Sequence, residues 1–127
     1  MKLEHVALLV ADPVAVAAWY ETHLGMRVVR SGDAPGHARF LADDAGASVF
    51  EIYAGTPPVP DYGAMDPALL HVAFAAEDVE GTRARLLAAG AAPVGDVVVT
   101  PAGDCFAMLR DPWGLALQLV RRSRPLA

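Results

Sequence analysis

At 127 residues and 13.3 kDa, with 54% hydrophobic and 20% charged residues, the chain has the size and composition of one folded, soluble domain. Its net charge of −5 argues against nucleic acid as a main partner, because phosphate binding calls for a basic face. The first apolar run stops at Asp12–Pro13, far short of the ~20 residues a membrane span needs, and carries no signal-peptide cleavage pattern. The single cysteine, Cys105, excludes an internal disulfide and fits a cytoplasmic location.

The segment "LEHVALLV" reads as a buried strand interrupted by one imidazole, His5. Asp12 as cap, Pro13 in the first turn and Gly25 at the exit bracket a helix over "PVAVAAWYETHLG". Val16, Trp19, Tyr20 and Leu24 give it an apolar stripe. Three strand-like segments follow, "MRVVRS", "HARFLADD" and "ASVFEIYAG". The stretch "GTPPVPDYGAMDP" reads as a connector. A second strand, "LLHVAFA", precedes a helix over "DVEGTRARLLAAG", in which Gly81 is expected to cost about 1 kcal/mol relative to alanine. The segments "PVGDVVVT", "CFAMLRD" and "GLALQLVRR" close the chain, separated by turn signals of which "DPWG" is the clearest. The basic tail with Arg121, Arg122 and Arg124 reads as a solvated end.

The order strand, helix, strand, strand, strand therefore occurs twice. His5 and His71 stand 66 positions apart (71 − 5), as do Asp12 and Asp78 and also Phe40 and Phe106. Glu51 and Gln118 are 67 apart (118 − 51). This is the signature of an internal duplication: module 1 spans about 1–56, a linker about 57–68, and module 2 about 69–123.

Side chains alternate along a strand. Val6, Leu8 and Val10 oppose His5, Ala7 and Leu9; Phe50 and Ile52 oppose Glu51; Val72 and Phe74 oppose His71; Leu117 and Leu119 oppose Gln118. If the large apolar residues pack under the helices, His5, Glu51, His71 and Gln118 occupy the other sheet face. Two imidazoles, a carboxylate and an amide oxygen suit a divalent first-row metal with open positions better than a closed thiolate site. A desolvated carboxylate at Glu51 needs a cation or strong hydrogen bonds. His23 reads as a weak cation at its helix C-terminus, and His37 as a solvated loop residue.

The segments "LEHVALLVAD", "WYETHLGMRVV", "SVFEIY", "LLHVAFAAEDVE" and "DPWGLALQLV" carry a resemblance to the vicinal oxygen chelate superfamily. That group includes glyoxalase I, bleomycin- and fosfomycin-resistance proteins, extradiol dioxygenases and methylmalonyl-CoA epimerase. The resemblance implies an α+β fold of two βαβββ modules whose curled mixed sheets surround a shared cavity. It also implies a homodimer, in which His5 and Glu51 of one chain and His71 and Gln118 of another hold one metal: Ni, Zn, Co, Mn or Fe. Two functions follow from it. One is a metal-dependent lyase, isomerase, epimerase or dioxygenase acting on a small oxygenated substrate, with Glu51 or a group outside the set moving the proton. The other is a non-catalytic protein that binds a drug or natural product in the dimer cleft. Gln118 departs from the glutamate of bacterial glyoxalase I-like patterns, so Glu51 is the one carboxylate of the set.

Overall fold

The structure, a computed structural model, describes residues 1–47 and 49–126. Ser48 of the fourth strand segment and Ala127 of the tail lie outside the described residues. The chain divides into two compact units, Met1–Pro60 and Asp61–Ala127, and each is a βαβββ module.

In the first unit, β1 (Val6–Leu9) leads into α1 (Pro13–Leu24), followed by β2 (Arg27–Ser31), β3 (Arg39–Ala42) and β4 (Val49–Tyr53). The sheet order is β1-β4-β3-β2, with β1 and β4 parallel and the other pairs antiparallel. The capping signals act as expected. The Asp12 carboxylate accepts from the Ala15 N–H at 3.0 Å, Pro13 occupies the first turn, and Gly25 ends α1 at φ 69°, a left-handed conformation that glycine adopts at little cost. Val16, Ala17 and Tyr20 of α1 are buried with Leu8, Val10, Leu41 and Ile52 of the sheet. Trp19 is only half-buried; its ring lies 5.8 Å from Tyr20 and 5.1 Å from His23, so the predicted stripe is narrower than four residues.

In the second unit, β5 (Val72–Ala75), α2 (Val79–Ala88), β6 (Ala92–Val99), β7 (Cys105–Arg110) and β8 (Ala116–Arg121) repeat the arrangement. The sheet order is β5-β8-β7-β6, again with one parallel pair, β5 and β8. Val79 and Leu86 of α2 are buried, as are Leu109, Leu117 and Leu119 of the sheet. Arg83 lies on the same side of α2 and donates from Nη2 to the Gly95 carbonyl at 3.2 Å.

Gly81 has a role that helix propensity alone hides. The Asp78 carboxylate caps α2 by accepting from the Gly81 N–H at 2.9 Å, and a Cβ on Gly81 would collide with that carboxylate. Gly81→Ala therefore requires the Asp78 carboxylate to turn, as the Asp12 carboxylate does where it caps α1 on Ala15, and is expected to gain less than the usual about 1 kcal/mol for glycine to alanine in a helix. Urea denaturation should show a midpoint raised by less than that gain, and a rise of the full amount would contradict this account.

Two stretches read as irregular are built parts of the second unit. The connector holds a 3₁₀ turn, Tyr62–Ala64, capped by Asp61, and Tyr62 is buried. Arg110 fastens it: Nη1 donates to the carbonyls of Tyr62 at 2.9 Å and Gly114 at 3.0 Å, and Nη2 donates to that of Met65 at 2.7 Å. The basic tail is docked where it leaves β8. Arg122 pairs with Asp104 at 2.9 Å, and its guanidinium lies 4.8 Å from the Phe106 ring centre. The Ser123 N–H donates to Asp104 at 2.7 Å. Together with the Ser123 hydroxyl, these contacts hold the Asp104 carboxyl below the usual carboxylate range. Arg121, Arg122 and Arg124 are all exposed, so the tail is a solvated end as read; what the run of arginines does not reveal is the acid eighteen positions upstream that Arg122 meets.

"DPWG" is a tight turn, as read. The Gly114 N–H donates to the Asp111 carbonyl at 3.0 Å, and the buried Asp111 carboxylate accepts from the N–H groups of Trp113 and Leu115 at 2.9 and 3.0 Å.

Candidate metal centre

α1 packs on β2, β3 and β4, and α2 on β6, β7 and β8. Strand alternation then assigns the remaining side chains of each sheet to the face away from its helix. On the first sheet that face carries Ala7 of β1, Glu51 of β4 and Phe40 of β3, which are register partners in one row across three strands. On the second, the corresponding row is Ala73 of β5, Gln118 of β8 and Met108 of β7. His5 lies two residues before Ala7, and His71 two residues before Ala73, so each histidine stands at the same place relative to its oxygen donor. The duplication is thus structural as well as sequential. It corrects one detail: the counterpart of Phe40 is Met108, since Phe106 pairs with Val120, two residues along β8 from Gln118.

Both histidines fall just outside their strands, which begin at Val6 and Val72, and both are exposed. The expectation of a buried imidazole in β1 is corrected: alternation gives the face of a side chain, and its depth depends on how far the sheet extends, which here stops one residue later.

The first unit brings His5 and Glu51 together, with His5 Nε2 3.3 Å from a Glu51 carboxylate oxygen. The other ring nitrogen, Nδ1, is hydrogen-bonded to the Glu4 carboxylate. The ring meets Phe40 edge-on, with centroids 5.8 Å apart. The hydrogen bond to Glu4 holds the His5 imidazole above its ordinary value; burial opposes this, and the charges of Glu4 and Glu51 reinforce it. The protonated ring is therefore favoured by both carboxylates.

In the second unit His71 Nδ1 lies 2.8 Å from the Pro67 carbonyl oxygen, and Gln118 is half-buried on the sheet face that Ala73 shares. Among the described residues no three His, Cys, Asp or Glu side chains gather around one point; each unit offers one imidazole and one side-chain oxygen. His23 lies beside Trp19 in the last turn of α1, and His37 is exposed with φ 47°; neither joins the pairs. Sequence reasoning missed Glu4 and the Pro67 carbonyl. The first left a signal in the adjacent Glu-His dipeptide, whereas a backbone carbonyl leaves none.

This chemistry fits a divalent ion. Imidazole nitrogens with carboxylate and amide oxygens are ordinary ligands for first-row metals, and the Glu51 carboxylate already faces the nitrogen of His5 that would share the ion.

Two βαβββ modules, each carrying an imidazole and an oxygen donor at one register of a mixed sheet, define a paired-module class of α+β protein. The chain belongs to the Glyoxalase/Bleomycin resistance protein/Dioxygenase superfamily, whose profile matches residues 2–119. Among solved structures it is similar to SMU.1112c, with 28% identity over 95% of this chain and 98% of that one and a TM-score of 0.74. A glyoxalase family protein from Enterococcus faecalis is 27% identical over 94% of this chain and 97% of that one, with a TM-score of 0.71. The glyoxalase family protein APC24694 from Bacillus cereus shares the fold at 18% identity, 94% and 93% coverage and a TM-score of 0.79. No curated protein matches the chain. No described helix is long and apolar enough to cross a membrane.

Proposed function

We propose that this protein is a divalent-metal-dependent lyase, isomerase or epimerase that acts on a small oxygenated substrate. His5, Glu51, His71 and Gln118 hold the ion, and the pairs from different chains meet in a homodimer. The observation that carries this reading is the His5 Nε2–Glu51 contact of 3.3 Å, at a register that the second unit repeats with His71 and Gln118. When bound, the ion supplies Lewis acidity that polarises a substrate oxygen.

The chain's own groups divide the remaining work. Glu51 is the carboxylate that takes or returns a proton at the carbon beside the polarised oxygen. Gln118 offers an amide oxygen that binds but cannot act as a base near neutral pH, so Glu51 alone suffices for a transfer on one face of the substrate, whereas an epimerisation would need a second proton donor from outside the set. Phe40 and Met108, which flank Glu51 and Gln118 in the two rows, present apolar surface to the substrate's carbon skeleton and keep water from the proton in transit.

A second reading draws support from the same rows. Phe40 and Met108 put an apolar side chain beside each oxygen donor, which suits a non-catalytic binder of a drug or natural product.

Metal content separates the two. Tag-free protein exposed in turn to Ni²⁺, Co²⁺, Zn²⁺, Mn²⁺ and Fe²⁺ is expected to retain one of them near stoichiometrically, and His5→Ala to lose it. Wild-type protein that retains none of the five would overturn the enzymatic reading in favour of the binder.

A further inference from the structure

We infer that the Glu4 carboxylate and the Pro67 carbonyl are the positioning groups of this site: each takes the Nδ1–H of one histidine and leaves that ring's Nε2 as the lone-pair nitrogen. The inference rests on the metal-centre reading above and adds to it the groups that set the ligands' tautomers.

The case is firmest for His71. Its Nδ1 lies 2.8 Å from the Pro67 oxygen. A backbone carbonyl only accepts, so the proton must reside on Nδ1, and in the neutral ring Nε2 is then bare. The direction of that carbonyl is fixed locally. The Asp66 carboxylate accepts from the Ala68 N–H at 2.8 Å, and the Leu69 N–H donates to the Asp66 carbonyl at 2.9 Å. These bonds wind the chain into a turn around Pro67, whose own φ is fixed by its ring.

His5 reaches the same state by different means. Its Nδ1 meets the carboxylate of the preceding residue; an ionised carboxylate also only accepts, so Nδ1 again donates. Both ring nitrogens face a carboxylate, but the hydrogen bond is the closer one, at Nδ1 to Glu4, and Nε2 makes only the longer 3.3 Å approach to Glu51, so the single proton of the neutral ring is assigned to Nδ1. A free imidazole in water prefers the opposite tautomer, with the proton on Nε2, so two rings in separate units that share the Nδ1–H form point to a common requirement. Histidines that bind metals commonly donate their second nitrogen to a carboxylate or backbone carbonyl, and loss of that partner typically lowers affinity 10–100-fold.

The two halves are unlike in one respect. Glu4 brings a charge that strengthens His5 as an electron-pair donor, whereas the Pro67 carbonyl is neutral. Glu4→Gln should therefore keep the hydrogen bond and the tautomer while giving up the charge, and Glu4→Ala should give up both.

The test uses ¹⁵N-labelled, metal-free protein, at a pH where both rings are neutral, with long-range ¹H–¹⁵N spectra assigning the proton to Nδ1 or Nε2. Wild type is expected to show Nδ1–H at both His5 and His71. Glu4→Ala should shift His5 towards Nε2–H and leave His71 unchanged, and Glu4→Gln should restore the wild-type His5 pattern. Titration with Zn²⁺ should weaken by about 10–100-fold in Glu4→Ala and by less in Glu4→Gln. Nε2–H at either histidine of the wild type, or a His5 tautomer indifferent to Glu4→Ala, would overturn the inference. The spectra decide it without any metal. Failure of wild type to take up Zn²⁺ or any of the other four ions would count against the proposed function while leaving the tautomer result to stand or fall by itself.

Discussion

Gly114→Ala should destabilise the protein by about 3 kcal/mol, lowering the urea midpoint more than any other glycine-to-alanine change in the chain. Gly114 has φ 96°, in the left-handed region where a Cβ is strained. The added Cβ would also lie 2.7 Å from the Gly63 nitrogen and 2.9 Å from its Cα. Both are backbone atoms, so no change of rotamer relieves the contact. Nor can the 3₁₀ turn draw back, because Arg110 ties its carbonyls and that of Gly114 to one guanidinium. Gly46 is the internal control, with φ 70° and nothing within 4 Å of an added Cβ. Gly46→Ala carries backbone strain without crowding and is expected to cost about 1–2 kcal/mol. Equal losses at the two positions would mean that the close approach of Gly63 to Gly114 contributes nothing.

The second large effect concerns chemistry. On the proposed reading, Glu51→Gln should lower kcat by about 10²–10⁴-fold, with any substrate the wild type turns over, because the amide retains an oxygen ligand but cannot accept a proton. Stability should hardly change. His5 and Glu51 are both partly open to solvent, and exposed ion pairs contribute about 0–1 kcal/mol. A variant with unaltered melting temperature, retained metal and lost turnover would assign the proton transfer to Glu51. Full activity in Glu51→Gln would remove Glu51 from that role.

Much of the fold was legible because it is written in local chemistry. Asp12, Pro13 and Gly25 delimit α1, Asp78 opens α2, and "DPWG" turns the chain into β8; the aspartates act through hydrogen bonds within about four residues, and Pro13 and Gly25 through their own backbone angles. Alternation correctly separated Leu8, Ile52, Leu117 and Leu119 from Glu51 and Gln118, because the strand period is a local property too. What escaped notice depends on distance. Arg110 binds carbonyls 45 and 48 positions away, and Arg122 finds its acid across the β7–β8 hairpin. Phe40 and Phe106 share a spacing that suggested equivalence, yet register gives the place opposite Gln118 to Met108. Gly81 read as a weakness because propensity scales consider the helix without its cap. Of the candidate site, the placing of one histidine and one oxygen donor on the same sheet face of each unit was legible; the contacts of the two histidines with the Glu4 carboxylate and the Pro67 carbonyl were not.

The parallel pairs β1–β4 and β5–β8 have a consequence for the order of folding. His5 and Glu51 are separated by 46 positions, and His71 and Gln118 by 47, so in each unit the donor pair is joined only when the first strand meets the last. Hairpins β2–β3, β3–β4, β6–β7 and β7–β8 close over short loops, whereas these parallel pairings carry the largest loop-closure entropy in their modules. The donors are therefore joined by the least local contact of each module. An ion that binds them favours the state in which the longest loops are already shut, and thermal stability should rise with its free concentration. On the proposed reading, such an ion would act as a clasp on the least local contact of each module.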